Sequence, residues 1–106
     1  MIEVKLFSEA DGMMSGFEVT GHSGTAAHGQ DIVCAGVSSL SQTALLGLGE
    51  YLKREVDFKA ESGELYVKLK GDPDELTEAI LRTMVLGLRE IEKIAPQAVK
   101  IKESKR

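Results

Sequence analysis

Cys34 is the sequence's lone cysteine, and His22 stands twelve residues before it. A thiol with an imidazole in reach is the minimum equipment for acyl transfer through a thioester. The thiolate is the attacking form, and a histidine can hold it as an ion pair and then protonate a departing amine. The segment between them, Gly21 to Gln30, carries three glycines after Gly21 is counted with Gly24 and Gly29, and no large apolar side chain. It reads as a loop able to fold back and bring imidazole to thiol, with Gly21 and Gly24 letting the backbone turn sharply beside His22. A substrate would meet this loop first.

Asp31, three residues before Cys34, fits the N-cap of a helix, because its carboxylate can accept a bond from an unpaired amide of the first turn. Orienting His22 is a competing role for the same carboxylate. With Asp31 as cap, Cys34 falls in the first turn, where free amides and aligned peptide dipoles favour the thiolate and could receive a developing oxyanion. The bland account is that Cys34 is a small hydrophobe on a stripe with Val37, Ser38 and Leu45. His28 is a second histidine in the loop, a candidate base or ligand. One cysteine and two histidines fall short of the four ligands zinc takes unless a carboxylate or a second subunit completes the set. No metal and no cofactor is expected.

The elements that must position these residues follow from periodicity. Ile2, Val4 and Leu6 alternate on one strand, and Met13, Phe17 and Val19 mark a second, with Asp11-Gly12 between them as a hairpin turn. From Asp31 to about Glu55, Val33, Val37, Leu40, Ala44, Leu48 and Leu52 recur at helical spacing, and Gly36, Ser39, Thr43 and Gly47 form a neighbouring small-residue stripe for a closely packed helix or subunit. Val56 to Glu61 and Glu64 to Lys70 alternate around Ser62-Gly63. Asp72-Pro73-Asp74-Glu75 then supplies a cap, a proline at the first helical position and acidic residues for a helix running to about Ala95, which Pro96 ends. Ala98 to Glu103 alternates apolar residues with lysines and reads as an edge strand. The expected fold is α+β: a two-layer sandwich of order ββαββαβ, mainly antiparallel, with both helices on one face. The second helix carries Leu76, Ile80, Met84 and Ile91 beside Leu81, Val85 and Leu88. That arc is wider than one sheet face needs, which predicts a homodimer.

At 106 residues a single domain spanning 1–106 is expected. The net charge of −4 gives no electrostatic reason to bind nucleic acid directly, and the cluster Lys100, Lys102, Lys105 and Arg106 reads as a solvated chain end. The apolar runs read as too short to cross a bilayer, so no membrane partner is expected. No basic leader precedes an apolar stretch, and a lone thiol suits a reducing compartment, so the expected location is the cytoplasm.

Gly21-His22-Ser23-Gly24, followed by Gly29-Gln30-Asp31-Ile32-Val33-Cys34-Ala35-Gly36-Val37-Ser38, resembles the signature of the ribosomal-processing cysteine protease family called Prp. Chain length and element order are similar to that family over essentially the whole sequence. The resemblance implies a catalytic dyad of His22 and Cys34, beside which Gly21, Gly24, Asp31 and Ser38 are read as supporting residues. It further implies homodimers, a loop that orders around a substrate peptide, and removal of a short N-terminal extension from ribosomal protein twenty-seven of the large subunit. Thr25 and His28 stand where members often carry aromatic residues, and Gly36 where alanine is common. The alternative is a non-enzymatic ribosome-associated module that binds a peptide or assembly partner, with Cys34 structural.

Overall fold

The computed structural model describes residues 1–21 and 28–105, the side chains of residues 28–31 and 105 excepted. The elements are β1 (Ile2–Ser8), β2 (Met14–Thr20), α1 (His28–Leu46) running into a π-helical turn (Gly47–Tyr51), β3 (Val56–Glu61), β4 (Glu64–Leu69), α2 (Glu75–Ile94) and β5 (Val99–Lys105). The order ββαββαβ is the one the periodicity predicts. The five strands form one sheet in the order β3-β4-β2-β1-β5. All pairs are antiparallel except β1 with β5, because the chain reaches β5 by crossing over through α2. β5 does lie at an edge, as its lysines suggested.

Alternation sets the face. Ile2, Val4 and Leu6 of β1, Phe17 of β2 and Leu65, Val67 and Leu69 of β4 are buried in one core. Onto it pack Val37, Ala44 and Leu48 from the first helical segment and Leu81, Met84, Val85 and Leu88 from α2. Fully buried side chains such as Phe17, Leu48, Leu81 and Leu88 each contribute about 1.5–3 kcal/mol by leaving water. Of the small-residue stripe, Gly36 and Gly47 lie close against α2, while Ser39 and Thr43 are exposed. A Cβ at Gly36 would stand 3.1 Å from Ile91 Cδ1, and one at Gly47 3.0 Å from Ile80 Cδ1.

Several boundaries differ from expectation, each for a local reason. The first hairpin is not a two-residue Asp-Gly turn: Gly12 N donates to Glu9 O, and Met13 N to the Asp11 carboxylate, both at 2.9 Å. Asp11 therefore closes a turn that Gly12 leaves at φ +90°. The first helix stops near Leu52 rather than Glu55, since Lys53 adopts φ +57°, which ends helical propagation. The cap of α2 is Asp74, not Asp72, so Pro73 lies before the helix. Asp74 wins because its carboxylate accepts from Leu76 N (3.0 Å) and Thr77 N (3.1 Å) while Thr77 Oγ1 accepts from Asp74 N (2.8 Å), a closed capping box. The Arg54 guanidinium, 2.7 Å away, and then the Thr77 amide hold the Asp74 carboxyl below the usual range.

The stretch Ile32–Tyr51 is also longer and more apolar than the sequence reading allowed. By length and a mean hydropathy of 1.5 it matches a spanning helix. Its Val37, Ser41, Ala44 and Leu48 form one buried stripe against the rest of the fold, while most of the segment lies outside the core.

Candidate active site

Cys34 is half-buried on α1, its lower part packed against the core. It lines a cleft of about 310 Å³. Ile2, Val19 and Gly21 of the first hairpin form one side of this space, Val37, Ser38, Ser41 and Gln42 of α1 the second, and Ala60 to Leu65 of the β3–β4 hairpin the third. Three residues anticipated from the sequence, Gly21, Cys34 and Ser38, are thus brought together. His22 and Gly24 lie outside the described residues, as does most of the loop Gly21 to Gln30.

The reading of Asp31 as cap needs correction. α1 begins at His28, so Asp31 is a helical residue of the first turn, whereas a cap must have non-helical backbone. Its acidic character still suits the positive end of the helix. Cys34 is consequently the seventh residue of α1 and sits in the second turn. An amide at that depth is engaged in the helical ladder, so the free amides do not lie beside the thiol as the shorter helix implied.

Gly21 is held from two directions. Its N–H donates to Gly63 O at 2.9 Å, and its φ of +92° is one that side chains rarely adopt. A Cβ there would press on the Met1 carbonyl. Gly21, which precedes His22 in the sequence, is therefore held by backbone contacts with Gly63 and Met1. The same bond depends on Gly63, whose φ of +77° makes the Ser62–Gly63 turn. Register does the rest, with Thr20 opposite Glu64.

Polar groups line the helix wall. Ser41 Oγ donates to the Val37 carbonyl, and Gln42 Nε2 donates to Ser38 Oγ at 3.2 Å. On the sheet face away from the helices, Lys59 stands 3.6 Å from Glu61 and 3.4 Å from Glu64. Its bond to Glu64 and the charge of Glu61 raise its ammonium above the ordinary lysine value. Gln42 and the hairpin were missed from sequence. Gln42 was within reach, since it lies two turns beyond Cys34 on the same helical face. The hairpin was not, because nothing local to Ala60–Leu65 reveals that β4 pairs with β2.

Comparison with known proteins gives a consistent result. A model of the family described as cysteine protease Prp matches residues 1–100. Ribosomal processing cysteine protease Prp of Bacillus subtilis is 30% identical over 100 residues, covering 88% of this chain and 88% of its own. The protein of the same name from Staphylococcus aureus is 27% identical over 95 residues, with 87% and 89% covered. Among solved structures, SMU.848 from Streptococcus mutans gives a TM-score of 0.86 at 26% identity, covering all of this chain and 96% of its own. Prp from S. aureus in complex with a substrate peptide gives 0.88 at 21% identity, covering 98% and 100%, a likeness of fold.

Proposed function

The chain belongs to the cysteine protease Prp family, and from that premise we propose that Cys34 is the nucleophile and His22 its general base in removing an N-terminal extension from ribosomal protein twenty-seven of the large subunit. The observation that carries the assignment is the cleft itself. Its lining brings the chain's lone thiol-bearing residue together with Gly21, the residue before His22 in the sequence, in a space of about 310 Å³. That an S. aureus relative has been solved with a substrate peptide supports the same use of this space.

In the mechanism, Cys34 Sγ attacks the scissile carbonyl carbon, and the electron pair displaced onto oxygen returns as the C–N bond breaks. His22 gives its proton to the leaving amine. The acyl group remains on sulfur as a thioester until water, deprotonated by His22, attacks it and releases the thiolate. The function places the protein in the cytoplasm with ribosomes, which cell fractionation reads directly.

The test uses a synthetic peptide covering the N-terminal region of the organism's own ribosomal protein twenty-seven. Mass spectrometry is expected to show one new N-terminus, and pretreatment of the enzyme with iodoacetamide is expected to abolish it. An intact peptide after prolonged incubation with excess enzyme would refute the assignment.

The protein also acts, in this reading, as a homodimer joined through its helical layer. An apolar groove of about 410 Å³ runs between α1 and α2, lined by residues including Leu40, Tyr51, Ile80 and Met84. Leu46, Leu76 and Leu86 on the same helical segments are more than half exposed, more apolar surface than a monomer commonly leaves wet. Sedimentation equilibrium is expected to give twice the chain mass, and Leu46→Glu with Leu86→Glu to give the monomer. A monomeric wild-type protein at micromolar concentration would dismiss the dimer.

A further inference from the structure

The sheet has two edges, and the fold treats them differently. β5 forms one of them. There Ile101 N donates to the Glu92 carboxylate of α2 at 3.1 Å, and Arg89 of the same helix reaches Glu92 at 3.5 Å and Glu103 at 3.8 Å, so helical side chains occupy an edge that would otherwise invite another strand. β3 forms the other edge. Among the described residues, no hydrogen bond reaches its outer side.

Which groups point outward follows from the hairpin. The two-residue Ser62–Gly63 turn makes Glu61 and Glu64 a hydrogen-bonded pair, and the alternation runs up the ladder to Glu55, whose carbonyl accepts from Lys70 N at 3.1 Å. The main-chain groups of Asp57, Lys59 and Glu61 are therefore turned to β4, and those of Phe58 and Ala60 to the open edge. Phe58 pairs with Val67 and Ala60 with Leu65, which puts their side chains on the sheet face that carries the core and the helices. Ala60 lines the cleft together with Cys34. Phe58, two residues back on the same face, leaves its ring 59% exposed. The free edge thus runs into the space that holds the thiol, and an extended main chain is what an open strand edge binds.

We propose that the substrate peptide docks as an added strand on β3: its main chain exchanges hydrogen bonds with Phe58 and Ala60, one of its side chains covers the Phe58 ring, and its scissile bond follows in the cleft at Cys34. The docking rests on the protease reading of the cleft. Main-chain bonds hold the peptide in register whatever its side chains are, so they act on binding and on placing the scissile carbonyl.

The experiment has two readouts. In the first, Cys34→Ala protein is saturated with the N-terminal peptide of ribosomal protein twenty-seven, and backbone hydrogen exchange is followed residue by residue by NMR. The amides of Phe58 and Ala60 are expected to slow by about tenfold or more, while those of β5 keep their free rates. In the second, wild-type enzyme cleaves a series of peptides N-methylated one position at a time. On one side of the scissile bond, kcat/KM should fall by about five- to tenfold at every second residue and by less than about twofold at those between, because only alternate amides of an added strand face β3. Ala60→Pro removes one outward N–H and no bond to β4, so KM should rise by about fivefold with the thermal melt near that of wild type. Bound peptide with Phe58 and Ala60 exchanging at their free rates, or N-methylation losses without a two-residue period, overturns the added strand and leaves the protease reading standing. Failure of the wild-type enzyme to cleave any peptide overturns both.

Discussion

Cys34→Ala is expected to slow peptide cleavage by about 10⁴-fold or more, since removing a covalent nucleophile leaves only binding and residual electrostatic help. No other thiol exists in the chain to substitute for it. The fold should survive. Cys34 is half-buried at the margin of the core, alanine is the best helix former, and the volume lost opens onto the cleft rather than sealing a void. A thermal melt within a few degrees of wild type, beside a flat progress curve on a fluorogenic peptide, is the expected pair of results. Cys34→Ser should fail nearly as badly, because a serine hydroxyl is a far weaker acid and a poorer nucleophile than a thiol. His22→Ala should fall by a similar factor, and with it the rate at which iodoacetamide labels Cys34. Peptidase activity retained by purified Cys34→Ala would remove the nucleophile from the mechanism.

The second large effect is at Gly21, whose role is to place a neighbour. Gly21→Ala forces a side chain into φ +92° and presses its Cβ on the Met1 carbonyl. Both the conformation and the contact are backbone matters, so no rotamer relieves them. Left-handed backbone alone costs a non-glycine residue about 1–2 kcal/mol, and the segment can avoid the clash only by moving. Movement breaks the bond from Gly21 N to Gly63 O and carries the adjoining His22 with it, and a misplacement of about 1 Å in a reacting group costs on the order of 100-fold in rate. Gly12→Ala is the matched control, with φ +90° and open space around the new Cβ. It should lose stability of the same order in urea titration yet keep its kcat. Equal activity in the two variants would show that the Gly21 anchor has no part in positioning the dyad.

Some of this was legible before any coordinates. The alternating Ile2-Val4-Leu6 and Leu65-Val67-Leu69, and the helical spacing of Leu81, Val85 and Leu88, place their side chains on one face whatever the rest of the chain does, because the strand and helix periods are local properties. The Ser62-Gly63 turn was equally plain, since a two-residue hairpin needs positive φ and the chain supplies a glycine for it. The caps were less legible. Asp31 and Asp72 each looked adequate, but a cap is chosen by competition among neighbours: Asp74 gained a reciprocal bond from Thr77 and an ion pair from Arg54, and α1 began a full turn early at His28.

The sequence by itself marked His22 and Cys34 as the candidate pair, through residue type, spacing and the family signature around them, and laid out the seven elements of the fold, through periodicity. Only the tertiary structure decided what faces the thiol. Placing β4 beside β2, with β1 and β5 beyond, is a choice among strand partners far apart in the chain, made by burial of one shared apolar face and not by any local preference. That choice brings Ala60, Gly63 and Leu65 to Gly21 and across from Cys34, which turns a cysteine on a helix into one wall of a cleft.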